Sequence, residues 1–155
     1  MTAATQTKML HDKIVMERIY SASPARVFQA WRDVDARLRW SRPFPDTNVA
    51  YDQAEFKVGG LDIMRCGAKG DMRFLAHVRY MEIINDARIV MAESLAEDGK
   101  IRVASLITIE LDPTGKATKQ TVTMQVSAFD GPDMLDGYNV GWTAVLDNLA
   151  HEFAH

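Results

Sequence analysis

The sequence closes on His151-Glu152-Phe153-Ala154-His155, the spacing of a zinc-hydrolase helix. Two histidines four apart share a helix face and could hold Zn²⁺, with the glutamate as general base. No third ligand follows His155, and nothing elsewhere in the sequence marks one. Histidines also suit the negative end of a helix dipole. The expectation is a solvated terminus, no metal site and no cofactor. His77 is a candidate base, but strand alternation puts it opposite Phe74 and Tyr80, facing outward. Cys66 has no His or Asp signature beside it and reads as an inert thiol. Gly59-Gly60 and Gly67-x-x-Gly70 are too short for phosphate loops, and no strand-to-helix junction follows either.

Arg65 and Glu93, read as lying on neighbouring strands, are candidate polar anchors inside the fold. A buried charge needs a partner, and these two would satisfy each other. A surface position for both is the alternative. Arg32, Arg37, Arg39 and Arg42 crowd one segment with Asp33 and Asp35 among them. That pattern reads as a solvated charged face, with a docking patch for an acidic partner as the alternative.

The aromatic and methionine residues are the better functional candidates. Trp31, Met64, Met72, Phe74, Tyr80, Met91, Tyr138, Trp142 and Val145 form the expected lining of a cavity, with Trp40 beside them. Methionine adapts to irregular apolar shapes, and Tyr and Trp add a polar tip that can orient a ligand. Plain core packing is the competing explanation for about half of them.

The elements that must position these residues are legible in outline. Residues 1–12 read as a flexible leader, and residues 13–155 as one domain. Ile14–Tyr20 reads as a strand. Ser23 caps a helix that Pro24 opens, and Val27, Phe28 and Trp31 give that helix an apolar stripe. A second short helix spans Asp35 to Trp40, and Pro43 and Pro45 end it. Strands follow to about residue 127, separated by turns at residues 67–71, 85–86, 97–100 and 115. Met72, Phe74, Ala76, Val78 and Tyr80 share one face of a long strand, and Arg73, His77 and Arg79 the other. Ser105 to Leu111 and Gln120 to Val126 alternate in the same way. From about Pro132 the period changes. Leu135, Tyr138, Trp142, Val145, Leu149 and Phe153 recur at steps of three and four, the mark of a long amphipathic helix. The architecture is α+β, with a helix laid on an antiparallel sheet.

The 155 residues are 47% hydrophobic and 25% charged, with a net charge of −3. That balance argues against a general nucleic-acid binder, which needs a basic face for phosphates. One cysteine allows no internal disulfide and fits a reducing compartment, so the cytoplasm is the expected location. The polar first residues carry no signal-peptide core, and no apolar run nears the roughly 18 residues that span a bilayer. The oligomeric state stays open, a homodimer among the options.

Several local signatures recur in a family order. They are Ser23-Pro24-x-x-Val27-Phe28-x-x-Trp31, Trp40, Gly59-Gly60, Tyr80-x-Glu82-Ile83, Thr118, and Gly141-Trp142 followed by Leu146 and Leu149. Over residues 14–153 the chain resembles the activator of heat-shock-protein ATPase homologue-like family of the START-related SRPBCC superfamily. The family's frequent Pro-Pro pair after Glu-Ile is here Ile84-Asn85-Asp86. The resemblance implies a helix-grip fold, as in START domains and the birch pollen allergen. In that fold a curved antiparallel sheet wraps around a long C-terminal helix, and two short helices follow the first strand. It also implies a cavity between sheet and helix, often used for apolar ligands.

Three functions compete. The first is binding of a small apolar or lipid-like molecule without catalysis. The second is a cyclase- or hydrolase-like enzyme, which needs a titratable group tuned by burial inside the cavity. The third is a stress-related or chaperone-linked interaction module, which needs an exposed apolar patch.

Overall fold

The computed structural model describes residues 9–129 and 131–154. Seven antiparallel strands form one sheet in the order β1-β7-β6-β5-β4-β3-β2. Strand β1 is Leu10–Tyr20, β2 Thr47–Gln53, β3 Leu61–Ala68, β4 Asp71–Ile84, β5 Arg88–Glu97, β6 Lys100–Thr114 and β7 Ala117–Ala128. Helices α1 (Pro24–Arg32) and α2 (Val34–Trp40) link β1 to β2. Helix α3 (Pro132–Leu149) follows β7 and runs into a 3₁₀ turn at Ala150–Phe153.

The capping chemistry expected at α1 is present. The Ser23 hydroxyl accepts from the Arg26 N–H, and Pro24 takes the first turn. Asp33 ends α1 and caps α2 by accepting from the Asp35 N–H. Asp98 and Gly99 both hold positive φ, which two-residue β5–β6 hairpins require. Gly60 has a different reason to be glycine: a Cβ there would lie 2.1 Å from the Glu55 carbonyl oxygen.

Three boundaries differ from the expectations. β1 begins at Leu10, so Leu10–Asp12, read as leader, are strand residues paired with β7. Most of the expected leader, residues 1–8, lies outside the described residues, as does His155. β2 is an edge strand that the sequence pattern does not single out, because only Val49 in it is buried.

The third difference shapes the molecule. A continuous stripe on α3 was expected to bury itself on the sheet. Only Tyr138, Leu146 and Leu149 of α3 are buried, with Phe153 after them. The C-terminal half is anchored: Tyr20 Oη donates to the Leu146 carbonyl at 2.7 Å, and Arg18 pairs with Asp147 at 2.9 Å. Beneath it lies a closed core in which Val27, Ile107, Ile109, Val122, Met124, Leu146 and Leu149 are fully enclosed. The N-terminal half stands away from β2–β5 and roofs a cavity.

Candidate functional site

The cavity has a volume of about 520 Å³. Its floor is the concave face of β3, β4 and β5, where alternation aims Asp62, Met64, Cys66, Phe74, Ala76, Val78, Tyr80, Met91, Glu93 and Leu95 inward. Trp31, Trp40 and Tyr51 form one wall, and Met134, Tyr138, Trp142 and Val145 of α3 form the roof. The tryptophans interlock. Trp31 meets Trp40 edge-on at 4.8 Å and lies stacked 6.5 Å from Trp142, which meets Tyr138 at 6.3 Å. The indole N–H of Trp31 donates to Gln120 at 2.8 Å, and that of Trp40 to the Ala30 carbonyl at 3.0 Å. Their apolar faces are thereby held toward the cavity.

Of the lining residues expected from the sequence, Trp31, Met64, Phe74, Tyr80, Met91, Tyr138, Trp142 and Val145 line the cavity, as does Glu93. Two do not. Met72 has the right parity but sits beside the β3–β4 turn, where the register shifts between Cys66 and Ala68, and it is half-buried outside the lining. Arg65 points from the other face of β3, exposed, and pairs with Asp52 at 2.6 Å. It does not anchor a ligand with Glu93, because it lies on the opposite face of the sheet, and β3 and β5 are not neighbours but have β4 between them. His77 falls on the outer face of β4. Glu152 of the terminal motif is held by Arg39 at 2.7 Å, and the described residues contain no cluster of three or more metal-ligating side chains.

Two polar groups interrupt the apolar lining. The first is Arg37–Asp62, and it corrects the reading of the arginine cluster as a solvated face at Arg37, which is buried. Arg37 is 5% exposed and Asp62 2%. Arg37 Nη1 donates to Asp62 Oδ2 at 2.6 Å, Tyr80 Oη donates to the same oxygen at 2.5 Å, and the Glu55 N–H donates to Oδ1 at 2.9 Å. The guanidinium also lies 4.9 Å from the Tyr51 ring centre. The signal for this pair was present: Asp62 shares parity with Met64 and Cys66, and an inward carboxylate needs a cation. Arg37 stands one turn before Trp40, on the buried side of α2.

The second group is Glu93, Tyr138 and Ser105. Tyr138 Oη donates to Glu93 Oε1 at 2.7 Å and sits 2.7 Å from Ser105 Oγ. With its one proton given to Glu93, Tyr138 accepts from the serine. Burial raises the Glu93 carboxyl above the usual carboxylate range, against the pull of the Tyr138 hydrogen bond. Burial likewise pushes the Cys66 thiol up to about 11, with Glu93 adding to the effect. Cys66 is thus a protonated, unreactive part of the wall at neutral pH.

A pH effect follows from Glu93. The folded state holds its proton more tightly than the unfolded chain does. Its stabilising contribution is therefore present at low pH and lost as pH rises through the raised value. Glu93→Gln, which can still accept from Tyr138, is expected to raise the melting temperature near about pH 8 and flatten the change down to about pH 5. Thermal unfolding of both proteins across that range is the check. A variant that melts lower than wild type at the upper end would show that the carboxylate is stabilised rather than strained.

A curved antiparallel sheet gripping a C-terminal helix over a cavity defines the helix-grip class. Within it, the chain belongs to the family described as Activator of Hsp90 ATPase homolog 1-like protein, whose model matches residues 21–154. Among solved structures it is similar to the Mll3558 protein from Rhizobium loti, with 34% identity and a TM-score of 0.83 over 94% of this chain and 99% of that one. It is also similar to an uncharacterised protein from Rhizobium leguminosarum, with 26% identity and a TM-score of 0.83 over 94% and 96%. Protein CV1439 from Chromobacterium violaceum, 24% identical with a TM-score of 0.80 over 92% and 97%, shares the fold. No curated protein matches the chain.

Proposed function

We propose that this protein binds a small, largely apolar molecule in the cavity between β2–β5 and α3, without changing it chemically. The observation that supports this is the cavity itself. At about 520 Å³ it lies within the range of small-molecule sites, which run roughly 300–1,000 Å³ and carry a few polar groups on an apolar lining. Three tryptophans and three methionines would give the ligand broad, adaptable contact. The single cysteine supports a reducing compartment such as the cytoplasm.

The test is native mass spectrometry of freshly purified protein, followed by a thermal-shift screen with apolar compounds. The expected result is a retained adduct, or compounds that raise the melting temperature by several degrees through preference for the folded state. A protein that carries nothing and is stabilised by none of the compounds would remove the reading.

One observation favours a second reading, acid–base catalysis. Glu93 is a carboxyl with a raised pKa at the end of a hydrogen-bonded relay from Ser105 through Tyr138. Conversion of a bound compound in wild type but not in Glu93→Gln would select it.

A further inference from the structure

The chemical class of the ligand can be taken further, resting on the binding reading above. Asp62 and Glu93 belong to one cross-strand row. Asp62 pairs with Val78, and Val78 with Glu93, so the two carboxyls face the same cavity two strands apart. Asp62 is matched by Arg37 at 2.6 Å. Glu93 has no such match. Among the described residues no ion pair reaches it, and its one side-chain hydrogen bond comes from Tyr138. Arg102, at the cavity edge, is paired with Glu97. Asp62 thus has a matching cation and, among the described residues, Glu93 has none, and a carboxylate enclosed without a cation is costly.

We propose that the ligand is a protonated amine on an aromatic or aliphatic body, its ammonium seated on the Glu93 carboxylate and its body against Trp142, Phe74 and Met91. An ammonium would supply the charge that Glu93 lacks. It would also lie near Tyr138 and Trp142, whose ring faces attract cations. Tyr138, itself held by Ser105, fixes one oxygen of the carboxylate. A carboxylate or phosphate ligand fits poorly. It would face Glu93 and Asp62 and find Arg37 already bound to Asp62 and Tyr80.

Without ligand, Glu93 can lower the cost by taking a proton. Amine binding then competes with that proton, so affinity falls as pH drops. The titratable and charged groups that share the cavity with Glu93 include Asp62 and Cys66 from β3, Arg102 from β6, and Asp133 and Tyr138 from α3; His77 and Arg79 of β4 line a recess on the other face of the sheet that Glu93 also borders.

The experiment compares three near-isosteric probes by calorimetry: naphthalen-1-ylmethylamine, naphthalen-1-ylmethanol and 1-naphthoic acid. With wild type near about pH 8, the amine is expected to bind more than about tenfold tighter than the alcohol, with the acid weakest. Its affinity should fall about tenfold or more as the pH is lowered through the raised Glu93 range. Glu93→Gln should remove both the amine preference over the alcohol and the pH dependence. Alcohol and amine binding equally to wild type would overturn the amine assignment and leave the binding reading standing. An amine preference that persists in Glu93→Gln would overturn the seat on Glu93. Failure of all three probes to bind would overturn the binding reading together with this one.

Discussion

Asp62→Ala is expected to lower stability by about 3–5 kcal/mol, the range for removing one partner of a buried ion pair. For a chain of this length that corresponds to a fall in melting temperature of about 6–20 °C. The size follows from what the carboxylate does. It accepts from Arg37, Tyr80 and the Glu55 N–H at once. Alanine would leave a guanidinium that is 5% exposed with no counter-charge. Arg37 Nε already has no hydrogen-bond partner among the described residues, so the guanidinium has little else to turn to. The pair itself is a different matter. Exchanging both partners for apolar residues of similar size is often neutral or stabilising. Arg37→Met with Asp62→Leu should therefore recover most of the loss. Thermal unfolding of the single and double variants decides it. A single variant within about 1 kcal/mol of wild type would mean that water reaches Arg37 and the pair is not enclosed. A double variant as unstable as the single would assign the loss to packing of α2 on β3 and β4.

That pair also marks where reading the sequence ends. Local rules found the scaffold: Ser23-Pro24 located α1, Asp98-Gly99 located a hairpin, and alternation from Met72 to Tyr80 gave β4 its two faces. Those signals involve residues a few positions apart, and short-range geometry is enough to interpret them. Arg37 and Asp62 are 25 positions apart, and no short-range rule joins them. Arg37 therefore read as one more surface arginine. Arg65 failed for a related reason. Its neighbour Met64 faces the cavity, so a one-residue step carries Arg65 to the other side. The cavity was the hardest feature to see. Phe74, Met91 and Trp142 have the same pattern whether they pack against a helix or enclose a space beneath it. Apolar periodicity reports which face turns inward, not how far away the opposite wall stands.

One sequence feature does bear on that distance. The roof of the cavity contains Gly137 and Gly141, four residues apart on α3, and a Cβ added at either would meet nothing within 4 Å. Neither position has a positive φ. Neither glycine is needed for a turn or a close approach, and each weakens the helix by about 1 kcal/mol relative to alanine. The space they leave is cavity. Gly141→Leu should therefore do two things that usually oppose each other. It should raise stability by about 0.5–1 kcal/mol through helix propensity, with the Cβ in open space and the rest of the side chain directed into the cavity. It should also place four carbons in the cavity and weaken ligand binding by more than about tenfold, or about 1.4 kcal/mol. Gly141→Ala separates the two effects: it should gain the stability and keep most of the binding. The measurement is ligand affinity beside thermal unfolding for all three proteins. If leucine stabilises the fold but leaves affinity unchanged, the ligand does not lie under α3. If leucine destabilises it, the space above β3–β5 is closed in solution and the glycines serve close packing instead. If stability rises while binding is lost, the glycines keep the cavity open at a cost to the helix, a trade that a purely structural domain would have no reason to make.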